Sequence, residues 1–93
     1  MIEFRDDEAG YLDWITRHPH DFVLNVRRTP DPQYVVLHRA SCGSISTSRK
    51  PGAYTARSYR KICSETPEEL RQAARLEGRL DGSFSRRCGI CSP

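Results

Sequence analysis

The side chains of this 93-residue chain best suited to chemistry are its four cysteines and three histidines, and their spacing separates two pairs from the rest. His38-Arg39-Ala40-Ser41-Cys42 offers an imidazole and a thiol, and Cys88-Gly89-Ile90-Cys91 offers two thiols. Ligands separated by two to four residues can be presented to one ion by a single tight turn. A closed tetrahedron of thiolates and imidazole is what structural zinc prefers. Gly89 is expected to let its turn close without a side-chain clash. The expected site is therefore one structural Zn²⁺ held by His38, Cys42, Cys88 and Cys91. Because 45 residues lie between Cys42 and Cys88, the ion would tie two distant parts of the chain together.

Cys63 is the thiol left over, and three readings of it stand. It displaces His38 in a four-cysteine site, it lies partly buried on a strand beside the metal, or it is a reactive thiol whose pKa Arg60 and Lys61 lower. A catalytic reading finds less support. The sequence shows no serine–histidine–acid set and no obvious carboxylate pair, and His18 and His20 flank Pro19 in what reads as a solvated turn. Four protein ligands also leave zinc no open position for water. The chain is expected not to be an enzyme.

Composition favours a metal over disulfides. The length suits one domain, residues 1–93, and the hydrophobic fraction of 37% gives it little apolar surface to bury, so a staple is expected. The opening residues, Met1 to Glu8, are acidic and lack the apolar run of a secretory signal, and no later stretch is apolar enough to span a bilayer. The expectation is a cytoplasmic chain without membrane partners, in a compartment where lasting disulfides are rare.

The elements that must position the ligands follow from periodicity. Residues 7–18 read as a short helix with Tyr11, Leu12, Trp14 and Ile15 on one broad face, capped by Asp6 or Asp7 and stopped by Pro19. Residues 22–28 and 33–38 read as two strands joined by Thr29-Pro30-Asp31-Pro32, an antiparallel hairpin. Residues 43–58, rich in Ser, Thr, Gly and basic residues, read as a mobile loop, and 59–63 as a third short strand. Thr66-Pro67-Glu68-Glu69 is a helix start with Thr66 as cap and Glu69 closing a capping box. Leu70, Ala73, Ala74, Leu76 and Leu80 are expected on its buried side, with Gly78 or Gly82 at its end. The fold class is small α+β: helix, hairpin, short strand, second helix and a closing CxxC knuckle.

In this order, HxxxC, strand, a helix opening Pro-Glu-Glu and then CxxC before Pro93, the chain resembles the Ada-type metal-binding domain of bacterial alkylation-repair proteins, also attached to some nucleases. The resemblance covers residues 34–93 and is carried by His38, Cys42, the helix at 66–74 and residues 88–93. It implies a zinc fold and a connection to DNA. It does not imply methyl transfer, because the repair proteins use a cysteine acceptor at the position His38 occupies here. Residues 78–87 are also longer than the family pattern. The stretch from Tyr11 to Asn25 is similar to modules that precede nuclease domains in bacterial restriction-type proteins.

Charge distribution points to an anionic partner. Residues 1–21 carry net −4, residues 22–61 carry eight basic and one acidic side chain for net +7, and residues 62–93 are neutral. Arg27, Arg28, Arg39, Arg49, Lys50, Arg57, Arg60 and Lys61 are the candidate contacts to nucleic acid, DNA in particular, with Tyr54 and Tyr59 available to stack on bases. The plainer alternative is that these charges solvate a hairpin and a loop. A zinc-stapled protein-interaction module, using Tyr11 and Trp14 on the acidic helix, is the competing function.

Overall fold

The computed structural model describes residues 1–47 and 52–93. Two helices and a five-stranded mixed sheet make a small α+β fold. In chain order these are β1 (Ile2–Phe4), α1 (Glu8–Arg17), β2 (Phe22–Arg27), β3 (Val35–Arg39), β4 (Tyr59–Ser64), α2 (Pro67–Leu76) and β5 (Arg86–Arg87), with a 3₁₀ turn at Gly43–Ile45. The sheet order is β1-β4-β2-β3-β5, antiparallel except where β5 runs parallel to β3. The expected hairpin is present, as β2 and β3. The outer strands β1 and β5 are additions that the sequence reading lacked. No helix among the described residues is long and apolar enough to cross a membrane.

Strand alternation divides the interior between the two faces of the sheet. Leu24, Val26, Val35, Leu37 and Ile62 pack under Leu70, Ala73 and Ala74 of α2. On the opposite face Val23 and Cys63 pack with Phe4, Tyr11 and Ile15, together with Cys42 and Cys88. The two helices therefore cover opposite faces. β2 and β4 are central, and successive residues along them are buried on alternating sides.

Local chemistry sets the helix ends. Asp7 caps α1 by accepting the Gly10 N–H at 2.9 Å. A Cβ on Gly10 would lie 2.3 Å from the Asp7 carboxylate, so glycine is what lets the cap fold over the first turn. Thr66 caps α2 from the Glu69 N–H. The reciprocal half of the expected capping box is not made, because the Thr66 N–H donates to the Ser64 hydroxyl. α2 ends at the first of the two glycines expected to stop it. Glu77 is drawn inward to Arg60, and Gly78 turns with φ +107° where a Cβ would meet Pro32. Leu76 and Leu80, assigned above to the buried side, are 78% and 88% exposed.

The segment read as a mobile loop is tied down on either side of residues 48–51. Glu8 accepts from the N–H groups of Tyr54 and Thr55 and from the Thr55 hydroxyl, and Tyr54 and Thr55 are buried. The Tyr11 hydroxyl donates to the Ile45 carbonyl at 2.8 Å, linking α1 to the turn after Cys42.

Two cations are buried in this frame. Arg60 donates to Glu77 and to Glu3, and its Nε donates to the Arg27 carbonyl. Lys61, 2% exposed, donates to the Tyr54 carbonyl at 2.7 Å beneath the rings of Tyr11, Tyr54 and Tyr59, and burial pushes its amine down to about 8. Removing one member of a buried ion pair leaves the other uncompensated, whereas replacing both with apolar groups is tolerated. Arg60→Ala is expected to destabilise the protein by about 3–5 kcal/mol. Arg60→Met combined with Glu77→Leu should recover most of that loss. Urea unfolding at constant metal concentration measures both, and equal losses in the single and double variants would contradict the ion-pair account.

Candidate metal centre

β3 ends on the first ligand pair. His38 lies opposite Val23 in the antiparallel register, which directs it to the α1 face of the sheet. The chain then turns, with the Cys42 N–H donating to the Arg39 carbonyl, and Cys42 enters the 3₁₀ turn. The second pair arrives on β5. Leu37 and Arg87 are register partners, and the Cys88 N–H donates to the Leu37 carbonyl at 2.9 Å, which sets Cys88 beside His38. Hydrogen bonds between Ser85 and Val35 fix the approach of this strand.

One ligand atom from each of His38, Cys42, Cys88 and Cys91 lies within 4.8 Å of the others, and the first three residues are buried. These four side chains can hold a metal ion. The His38 Nδ1 is buried and has no hydrogen-bond partner, a condition that a metal bond would relieve. The sulfurs have partners of their own. Cys91 Sγ accepts the Arg39 N–H at 3.3 Å, Cys88 Sγ accepts the Ile90 N–H at 3.4 Å, and the Ser44 hydroxyl lies 3.0 Å from Cys42 Sγ. The Arg39 guanidinium donates to the carbonyls of Cys91 and Ser92, so it holds the knuckle by its backbone. Cys42 and Cys88 are 3.9 Å apart, too far for a disulfide. Gly89 is not required on steric grounds, since a Cβ there would meet nothing within 4 Å.

The electrostatics suit ligation. Burial, reinforced by Lys61 and Arg86, pushes the His38 imidazole down to about 4 and keeps it in the neutral form that binds metal. Burial acts to raise the Cys88 thiol, but the N–H groups of Cys91 and Ile90 outweigh it and bring the thiol down to about 7. Burial and the neighbouring sulfurs push Cys91 up to about 11. Cys63 stands apart from the four. It is fully buried in β4 between Ile2 and Val23, and burial pushes its thiol up to about 12, so neither the four-cysteine nor the reactive reading fits its position.

The expected basic surface is redistributed. Arg60 and Lys61 are buried, Arg28 is paired with Asp6, and Arg39 holds the knuckle. Arg49 and Lys50 lie outside the described residues. Tyr54 belongs to the core, and Tyr59 is half-buried. What remains is Arg57, exposed, and Arg27, whose guanidinium sits 4.4 Å from the Tyr34 ring centre and 5.4 Å from that of Tyr59. Arg86 and Arg87, exposed on β5, join these. Sequence reasoning missed them because the acidic residues of α2 cancelled their charge in the sum over residues 62–93. Their signal was adjacency to Cys88. Beside the metal centre lies a cleft of about 560 Å³ whose lining includes Asn25, Tyr34, Val36, His38, Ile45 and Arg86.

No family model, curated protein or solved structure matches the chain.

Because Cys91 keeps its proton through neutral pH, binding a metal must release at least one proton there. The apparent affinity is expected to fall by about tenfold or more for each unit of pH lowered between 8 and 6. Competition against a chromophoric chelator at several pH values checks this, and a pH-independent affinity would exclude thiol ligation.

Proposed function

We propose that the metal is zinc and that the chain is a non-catalytic, zinc-clamped module for binding nucleic acid, with DNA the expected target. Three thiols and one imidazole form a soft donor set of the structural type. Zinc–sulfur bonds of about 2.3 Å in a tetrahedron put two sulfurs about 3.8 Å apart. The Cys42–Cys88 separation of 3.9 Å agrees with that. Four protein ligands complete the coordination and leave no position for a reacting water. The same order of elements is what the Ada-type resemblance rests on, and His38 again argues against methyl transfer.

The observation that carries the nucleic-acid reading is the arginine set around the cleft. Among the described residues, Arg27 and Arg86 form no ion pair with a carboxylate, whereas Arg17, Arg28, Arg60 and Arg71 do, and Arg87 donates to the Pro93 oxygen at 3.1 Å. Guanidinium groups without acidic partners, beside the exposed edge of a tyrosine, suit phosphate and base contacts. The protein-interaction alternative loses Tyr11, which is fully buried. What favours it now is the exposed pair Leu76 and Leu80.

Fluorescence anisotropy with zinc-loaded protein and labelled DNA over a series of salt concentrations tests the proposal. Replacing Arg86 and Arg87 with Ala should flatten the log–log salt slope on duplex by about 1.8, two phosphate contacts at roughly 0.9 each. Absence of binding at low salt by folded, zinc-loaded protein would overturn the proposal.

A further inference from the structure

We infer that the cleft beside the metal centre receives one unpaired nucleotide, with the base edge at Asn25 and the phosphate at Arg86. The inference rests on the nucleic-acid reading above and narrows its substrate to strands with an accessible base.

Besides the His38 nitrogen that a metal would engage, one residue lining the cleft carries an unsatisfied hydrogen-bonding group. The Asn25 Nδ2 donates to the Tyr34 hydroxyl at 3.3 Å, while its Oδ1 is shielded from solvent and has no partner. Buried acceptors in folded proteins are nearly always paired, so an orphan on a residue that lines a cleft marks where a ligand donor belongs once the cleft is occupied. Asn25 is held in place by its position in β2, between Val36 of β3 and Lys61 of β4. The surrounding surface is of mixed character. Val36, Ile45 and Ile90 are apolar, and Tyr34 presents a ring with Arg27 stacked on it. Apolar walls with a few polar groups among them are typical of a small-ligand pocket, and about 560 Å³ falls within the usual range of roughly 300–1,000 Å³.

The ligand must combine three features. It must be flat and apolar enough for the walls, carry an N–H donor for Oδ1, and carry a negative charge for Arg86. Arg86 makes no ion pair of its own, and it lies close enough to Tyr34 and His38 for its charge to be felt by both. A nucleotide has all three. A base inside a duplex cannot bring its edge to a shielded oxygen, whereas an unpaired or flipped base can. The metal knuckle forms part of the wall through Cys88 and Gly89, so the pocket depends on the clamp for its shape.

The test uses full-length, zinc-loaded, ¹⁵N-labelled protein titrated with deoxyadenosine, deoxycytidine, deoxyguanosine and thymidine monophosphates, with inorganic phosphate as the control. The nucleotides should shift the Asn25 side-chain amide and the backbone signals of Val36 and Ile45. Phosphate alone should shift only signals around Arg86 and Arg87. Intermolecular nuclear Overhauser contacts from base protons to the Val36 methyls are expected in the unaltered protein, so the result does not depend on any variant folding. Asn25→Leu should lower affinity for single-stranded DNA at least tenfold and leave duplex affinity within twofold. If single-stranded and duplex DNA bind alike and Asn25→Leu changes neither, the pocket is refuted while the nucleic-acid reading stands. If mononucleotides occupy the cleft but no polymer binds, the pocket stands and the broader reading fails. If nothing binds, both fall.

Discussion

His38, Cys42, Cys88 and Cys91 converge at the carboxyl end of a parallel strand pair only two residues long, and three of the four are buried. Without an ion such a cluster is a liability. An unpartnered imidazole nitrogen and closely spaced thiols sit where water cannot solvate them, and a single buried unsatisfied group costs about 1–3 kcal/mol. With an ion the same atoms become the link between β3 and the chain's end. A site of this kind does not exist in an unfolded chain, so binding of a metal there would be coupled to folding. The Arg39 contacts to Cys91 and Ser92 and the pairing of β5 with β3 hold the same two parts of the chain together.

The second constraint is the burial of charge on both faces of the sheet. On the α2 face, Arg60 is neutralised by Glu77 and Glu3. On the other face, Lys61 is surrounded by tyrosine rings and a backbone carbonyl, with Glu8 nearby. Adjacent residues of one strand thus send cations to opposite interiors, each met by a different kind of partner. Both solutions remove positive charge from the surface that a count of lysines and arginines would place there. Arg86 and Arg87 lie exposed on the β5 edge, beside the candidate metal ligands.

Much of the frame was legible because it is local. Apolar alternation marks β2 and β3, the prolines between them mark the turn, and Thr66-Pro67 marks the start of α2. The four-ligand cluster was legible because metal ligands keep characteristic spacings. What could not be read was non-local. β1 and β5 are too short to show a period, and they are strands only because β4 and β3 offer them open edges. Arg60 and Lys61 look like surface residues until Glu77 and the tyrosines are placed around them. Leu76 lies within α2 but off the face that Leu70, Ala73 and Ala74 bury, where Glu77 continues the inward side to meet Arg60, and Leu80 falls beyond the helix end. Asn25 carries no signal in a strand except that a polar residue there interrupts an apolar run.

β5 shields the outer edge of β3 over a very short length and continues directly into the cysteine turn. An uncovered strand edge is a template for pairing with another chain. If the carboxyl-terminal residues were detached from the ion, β3 would present its unpaired N–H and C=O groups to any neighbour. Metal occupancy would then govern whether that edge stays covered.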